Sequence, residues 1–373
     1  MQVLRQICTL RHLILLDNFD TGDCENLDFL TELPCPILVT SRVDYDGIFP
    51  QYEVDILSDE SALYQMMAYY TKREPDLYTD AILKALNGHT MAVELVAKQM
   101  ALHQLTFREM YEILCAEGIS GDDGKVRQLK DSTLREKTAF HHMEILFSVL
   151  DLSESEKQVL RCAALVGATS MERQYFEVIS DLNEAEISSL DRLIQSGWIS
   201  EVYQNEMCTL STHPLIVEVL CEKLRPNSRE CKRILIMSGA VASYIEKSEN
   251  AEQRFLSVQW LDHMAHHIQG DDPELSYFFG TMCYPHSSVL SELGEFQDCN
   301  IIAAEALECF QKNFGELHEQ MQWAYLMVGD NYRKAGDKEN AKRYYDLAIR
   351  VLRENDYETD ELEERVEEIL QGM

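Results

Sequence analysis

Asp17 closes the apolar run Leu13-Ile14-Leu15-Leu16, and Arg42 closes the run Pro36-Ile37-Leu38-Val39-Thr40-Ser41. Short continuous runs of this kind read as strands buried on both faces of a parallel sheet. Open α/β sheets bind ligands beyond the carboxyl ends of their strands. A carboxylate there can hold the water shell of a metal ion, and a neighbouring guanidinium can neutralise phosphate oxygens. Together the two suit phosphoryl chemistry. Either residue alone reads equally well as a solvated strand end.

Bringing both groups to one sheet edge requires a crossover. The segment Glu25–Leu33 between the runs reads as a short helix, which makes a βαβ unit. A phosphate-handling sheet of this kind also carries a glycine-rich loop ahead of its acid. Twelve residues precede Leu13, and none is glycine. The one Gly-Lys pair, Gly124-Lys125, has Ile119 in place of the first loop glycine and Val126 in place of the metal-holding hydroxyl. It reads as a linker turn, so the chain as given is expected to bind ATP poorly and to be the later part of a longer protein.

From Ser58 the period becomes helical. Ser58 reads as an N-cap, with Leu63, Met66, Met67 and Tyr70 on one face of the helix that follows. A second helix, Tyr78–Leu86, stops at Asn87-Gly88, and a third starts at His89-Thr90.

The order LILLD, then ILVTSR, then a helical lid with LNGHTMAVELVAKQM resembles the NB-ARC or STAND class of signalling ATPases, of the bacterial type. The resemblance implies that Asp17 is the Walker B acid, catalytic and holding Mg²⁺ through water. It implies that Arg42 is the sensor arginine on the phosphates. Gly88 and Thr90 fall on the Gly-x-Pro motif at the adenine, with Thr90 in place of the proline. Asn18 stands where many members carry a second acid. ADP or ATP with Mg²⁺ is the cofactor the class implies, and weak hydrolysis or none fits these departures. A slow ATPase is the expectation for a full-length form, and the chain alone is expected to be inactive.

Beyond a Gly- and Asp-rich linker, Ser153-Glu154-Ser155-Glu156 is a capping box for a helix burying Val159, Leu160, Ala163 and Ala164. Asn183 with Glu186 opens another, which stops at Gly197. Trp198–Val202 and Met207–Leu210 flank the polar turn Tyr203–Glu206 as a hairpin. Helix, helix, hairpin is a winged-helix pattern. Its recognition-helix segment, Glu184–Ser196, holds Glu184, Glu186 and Asp191 against a single Arg192, whereas groove reading needs cations. Thr212-His213-Pro214 follows. The resemblance implies that His213 is the histidine of the Met-His-Asp motif, bonding the β-phosphate of ADP. Physics alone reads it as a helix-start histidine with proline at the first helical position.

Gly329, Tyr332, Gly336, Ala341, Tyr345 and Ala348 reproduce tetratricopeptide spacing. Gly294, Phe296, Cys299, Ala303 and Ala306 echo it 42 residues earlier, a period that resembles kinesin light chain repeats. The region of Tyr332 and Tyr345 is the candidate protein-binding surface. His263, His266 and His267 share a helix face, but no cysteine lies near them in sequence to complete a metal site, so they read as a helix-surface cluster. The acidic tail Glu354–Glu368 reads as a solvated helix face.

The composition sets outer limits. A net charge of −32 opposes contact with nucleic acid or anionic membrane. No apolar run reaches membrane-spanning length. The eleven cysteines are scattered without a C-x-x-C pair, as expected of reduced thiols in the cytoplasm. The expected fold is mainly α: an N-terminal partial α/β, P-loop NTPase-like segment (1–55), a helical lid (56–120), a winged-helix domain (130–228), and a helical connector with tetratricopeptide-like solenoid repeats (229–373). The expected function is an ADP-locked switch whose repeats sense a protein or peptide and which can form a homo-oligomer on activation. A non-enzymatic repeat adaptor and a winged-helix DNA-binding regulator are the alternatives.

Overall fold

The computed structural model describes residues 8–16, 19, 28–41, 50, 52, 60–116, 132–149, 152–204, 207–246, 260–261, 263–264, 267–268, 296–319 and 321–371. Asp17, Asn18, Arg42, Ser58, the linker around Gly124-Lys125, His266 and Gly294 lie outside them. Among the described residues the chain is mainly helical, with two small sheets.

The first sheet pairs β1 (Ile14–Leu16) with β2 (Ile37–Val39) in parallel, in the register Ile14↔Ile37 and Leu16↔Val39. Helix α1 (Asp28–Thr31) lies in the crossover. Beyond the strands, Thr40 N–H donates to the Leu16 carbonyl and Phe19 N–H to the Thr40 carbonyl, each at 2.8 Å. Ile14, Leu16 and Ile37 pack over a small core of Cys8, Leu30, Leu33 and Cys35. Burial on both faces, expected from the apolar runs, does not hold: Leu15 is 58% and Leu38 54% exposed. An unbroken apolar run carries no period that separates one covered face from two.

Helices α2 (Glu60–Thr71), α3 (Leu77–Ala85), α4 (Thr90–His103) and α5 (Phe107–Ala116) follow, with α2 packed on α4 and α3 on α5. Leu63 and Met67 are buried, and Met66 and Tyr70 flank them. The α3 cap is Asp76, two residues before the expected start. Its carboxylate accepts from the Tyr78 and Thr79 N–H groups while its own N–H donates to the Thr79 hydroxyl.

Helix α6 (Ser132–Val149) leads to α7 (Glu154–Val166), β3 (Met171–Glu172), α8 (Arg173–Ile179), α9 (Glu184–Gln195), β4 (Ser200–Gln204), β5 (Met207–Ser211) and α10 (Pro214–Leu224). Ser153 and Asn183 form both halves of their capping boxes. β4 and β5 make an antiparallel hairpin from Ser200↔Ser211 to Gln204↔Met207, and β3 pairs with the other edge of β5. Both α9 and α10 pack on α7. Trp198, 1% exposed, meets Phe147 of α6 edge to face at 5.6 Å and ties the hairpin to the helices.

Helix α11 (Lys232–Glu246) and a helical segment bearing Trp260, Leu261, His263, Met264 and His267 come next. Then α12 (Phe296–Phe314), α13 (Met321–Lys334), α14 (Lys338–Glu354) and α15 (Asp360–Gln371) pack each on the next. α12 and α14 begin 42 residues apart. Cys299 and Ala303 of α12 are fully buried, as are Ala341 and, at 2% exposed, Tyr345 in the equivalent places on α14. One hydrophobic core joins residues from Leu63 through Val351.

Candidate functional site

Two helix starts carry histidines. α3 ends in a left-handed pair, Asn87 at φ +52 and Gly88 at φ +65. The Gly88 N–H closes on the Leu83 carbonyl at 3.0 Å, and the His89 N–H on the Leu86 carbonyl at 3.0 Å. A side chain at Gly88 would strain this turn. The reversal delivers His89 as N-cap of α4, where its Nδ1 accepts the Ala92 N–H at 3.4 Å. Thr90 is the first residue of that helix.

His213 plays the same part for α10. Its Nδ1 accepts the Leu215 N–H at 3.2 Å, and Pro214 occupies the first helical position. Accepting through Nδ1 places the proton of each neutral ring on Nε2. The helix-start role read from sequence physics is therefore present.

The two caps are electrostatically coupled. His89 is held below the usual histidine range first by burial and then by His213. A third imidazole joins them from α6. His142 is 8% exposed, its Nδ1 has no hydrogen-bond partner, and it is pushed down to about 4 by burial first, then by His141 and His89. Burial disfavours the charged imidazolium, and each helix N-terminus adds partial positive charge against it. The same arrangement suits an anion: the partial positive charge of two helix starts, with neutral imidazoles able to donate through ring N–H groups.

His89, which lies between Gly88 and Thr90 in sequence, thus couples to His213 and to His142. Asp17 and Arg42 lie outside the described residues. Tyr332 and Tyr345 are far along the chain in α13 and α14. Tyr345 is interior and donates to Asp330 at 2.7 Å, while Tyr332 stacks on Tyr344 with ring centroids 5.6 Å apart. Sequence reasoning passed over His89 and His142. His89 carried a signal, a polar residue directly ahead of an apolar helix after a Gly stop. His142 carried none, because its place is set by how α6 packs on α4 and α10.

No protein-family model matches the sequence, and no curated protein matches it. Among solved structures, a signal transduction ATPase with numerous domains (STAND) protein with a tetratricopeptide repeat sensor, from Pyrococcus horikoshii, is similar at 12% identity and a TM-score of 0.45. The match covers 92% of this chain and 50% of that one, so this chain spans about half the length of that structure.

Proposed function

We propose that the chain belongs to a STAND-type switch, in which ADP bridges the helical lid and the winged-helix domain and the repeats sense a protein or peptide. The observation that carries this reading is the coupling of the His89 cap to His213 and to His142, whose buried Nδ1 has no hydrogen-bond partner. These residues suit a diphosphate: two helix N-termini bring partial positive charge, and the imidazoles donate without adding charge of their own. The LILLD, ILVTSR and NGHT motifs supply the family context. In it Asp17 would hold Mg²⁺ through water, Arg42 would face phosphate oxygens, and Gly88 and Thr90 would border the base. Bound nucleotide would hold the lid and winged-helix units together, and a ligand on the repeats would shift that equilibrium towards an open, oligomer-forming state.

Charge supports this reading over DNA recognition. Arg192, the one cation of α9, lies 3.4 Å from Glu156 and donates to the Ser189 hydroxyl at 3.3 Å. It is committed within the protein rather than extended towards phosphate.

Calorimetric titration of the chain with Mg-ADP tests the proposal, with His213→Ala as the diagnostic variant. The expected result is binding weakened several-fold by the substitution with the circular dichroism spectrum unchanged. Equal ADP affinity in the variant overturns the role of His213. No ADP binding at all leaves the repeat adaptor as the function.

A further inference from the structure

His263 and His267 meet a cysteine that the sequence holds 42 residues before the first of them. Cys221 sits in the last turns of α10, and His263 and His267 lie one helical turn apart on the segment carrying Trp260 and Met264. Their candidate ligand atoms all lie within 4.8 Å of one another. We propose that Cys221, His263 and His267 form a zinc site with a fourth position open to water or an outside ligand.

The hydrogen bonds leave one ring nitrogen of each histidine to bind a metal. His263 Nε2 lies 2.9 Å from the Ala164 carbonyl and His267 Nδ1 lies 2.9 Å from the His263 carbonyl. A carbonyl only accepts, so each of these nitrogens carries the proton. That puts the lone pairs on His263 Nδ1 and His267 Nε2. Histidine ligands of metals use this same support, one ring nitrogen donating to a backbone carbonyl and the other binding. The packing that places His263 is specific. A Cβ on Gly167, at φ +76, would lie 2.7 Å from the imidazole carbons.

A thiolate with two imidazoles is a borderline-soft donor set, which suits Zn²⁺ over Mg²⁺ or Ca²⁺. Burial and nearby Glu218 push the Cys221 thiol up to about 11, so binding proceeds by loss of its proton to solvent as the sulfur–zinc bond forms. The thiol's present acceptor, the Ala164 carbonyl at 3.8 Å, keeps its bond from His263. The two imidazoles are stacked, with centroids 4.0 Å apart and planes 17° apart. Ligand atoms around tetrahedral zinc are about 3.5 Å apart, so one ring rotates and the cluster draws in by about 1 Å. The metal then fastens α10, which begins at His213, to the segment leading into the repeats. The site stands on its own residues and does not depend on the nucleotide reading.

The test uses the whole chain with Co²⁺ as a spectroscopic substitute, followed by Zn²⁺ titration against a chromophoric chelator. The expected result is one tight site with a thiolate-to-cobalt charge-transfer band and a melting temperature raised by Zn²⁺. Cys221→Ser should abolish the band, and His267→Gln should weaken Zn²⁺ binding more than about a hundredfold, beyond the loss typical of an outer-shell partner. Metal-free circular dichroism checks that each variant folds, and either folded variant decides alone. A band that survives Cys221→Ser, unchanged Zn²⁺ affinity in His267→Gln, or no tight site in the unsubstituted chain overturns the proposal.

Discussion

Gly329 of α13 and Tyr345 of α14 share one volume. A Cβ on Gly329 would lie 2.8 Å from both Cδ1 and Cε1 of the tyrosine ring and 3.4 Å from the Ala341 carbonyl. The ring is 2% exposed, and its hydroxyl is fixed on Asp330, so it has nowhere to move. Gly329→Ala therefore overpacks the helix pair, costing about 1–3 kcal/mol, against about 1 kcal/mol regained from helix propensity. Urea unfolding followed by tyrosine fluorescence should show a net loss. Tyr345→Phe should lose about 1–2 kcal/mol through the Asp330 bond alone. If Gly329→Ala stabilises the chain, the close approach is not present in solution.

The buried His142 makes stability depend on pH in a stated direction. Its ordinary value of 6.5 falls to about 4 in the folded chain, so the unfolded chain binds the proton first as pH drops. The contribution of the neutral ring is whole above about pH 6.5, declines through the interval, and is lost below about pH 4. His89 shifts in the same direction and adds to the same slope. His142→Leu should flatten the fall in denaturation midpoint between pH 6.5 and 4 relative to the unsubstituted chain. Parallel pH curves for the two would mean that His142 is solvated.

These two cases divide what the sequence discloses from what it conceals. Gly329, Ala341 and Tyr345 were legible because a repeat writes its packing as a fixed spacing of small and aromatic residues. The Ser153 and Asn183 caps were legible because a capping box is closed within four residues. The open face of Leu15 and Leu38 was not, since an apolar strand looks the same with one covering layer or two. The His89–His142–His213 group was legible only as to His213, by a motif. His89 couples to it, and His142 to His89, through the packing of helices, and Cys221 meets His263 and His267 in the same way. Such contacts join residues with no fixed separation along the chain, so no local pattern records them.

The cap of α9 offers a comparison that separates a side-chain hydrogen bond from backbone preference. Asn183 Oδ1 accepts from the Ala185 and Glu186 N–H groups at 3.0 and 3.1 Å, and its own N–H donates to the Glu186 carboxylate at 2.9 Å. Asn183→Ala should cost about 1 kcal/mol, and Asn183→Gly only a few tenths, because glycine lets water reach the helix start. Thermal unfolding of the two variants checks the order. Equal losses would mean that the cap bond adds nothing beyond solvation.

Glu186 also joins α9 to α11 through Arg233, and that contact sets a larger effect. The carboxylate is buried, its side chain 7% exposed against 36% for the arginine. Arg233 bonds it directly and donates through its other nitrogen to the Asp181 carbonyl at 2.6 Å. The arginine is held above its usual range first by the bond to Glu186. Arg233→Met leaves a buried negative charge whose remaining hydrogen bond among the described residues is from the Asn183 N–H. Breaking a fully buried pair from one side costs about 3–5 kcal/mol; the half-exposed arginine lowers this to about 2–3 kcal/mol. Adding Glu186→Gln removes the stranded charge, so the double variant should recover most of the loss. A double-mutant cycle by urea denaturation at pH 7 reads the coupling. Additive losses would place the Arg233 effect in its aliphatic packing or its Asp181 bond rather than in the ion pair.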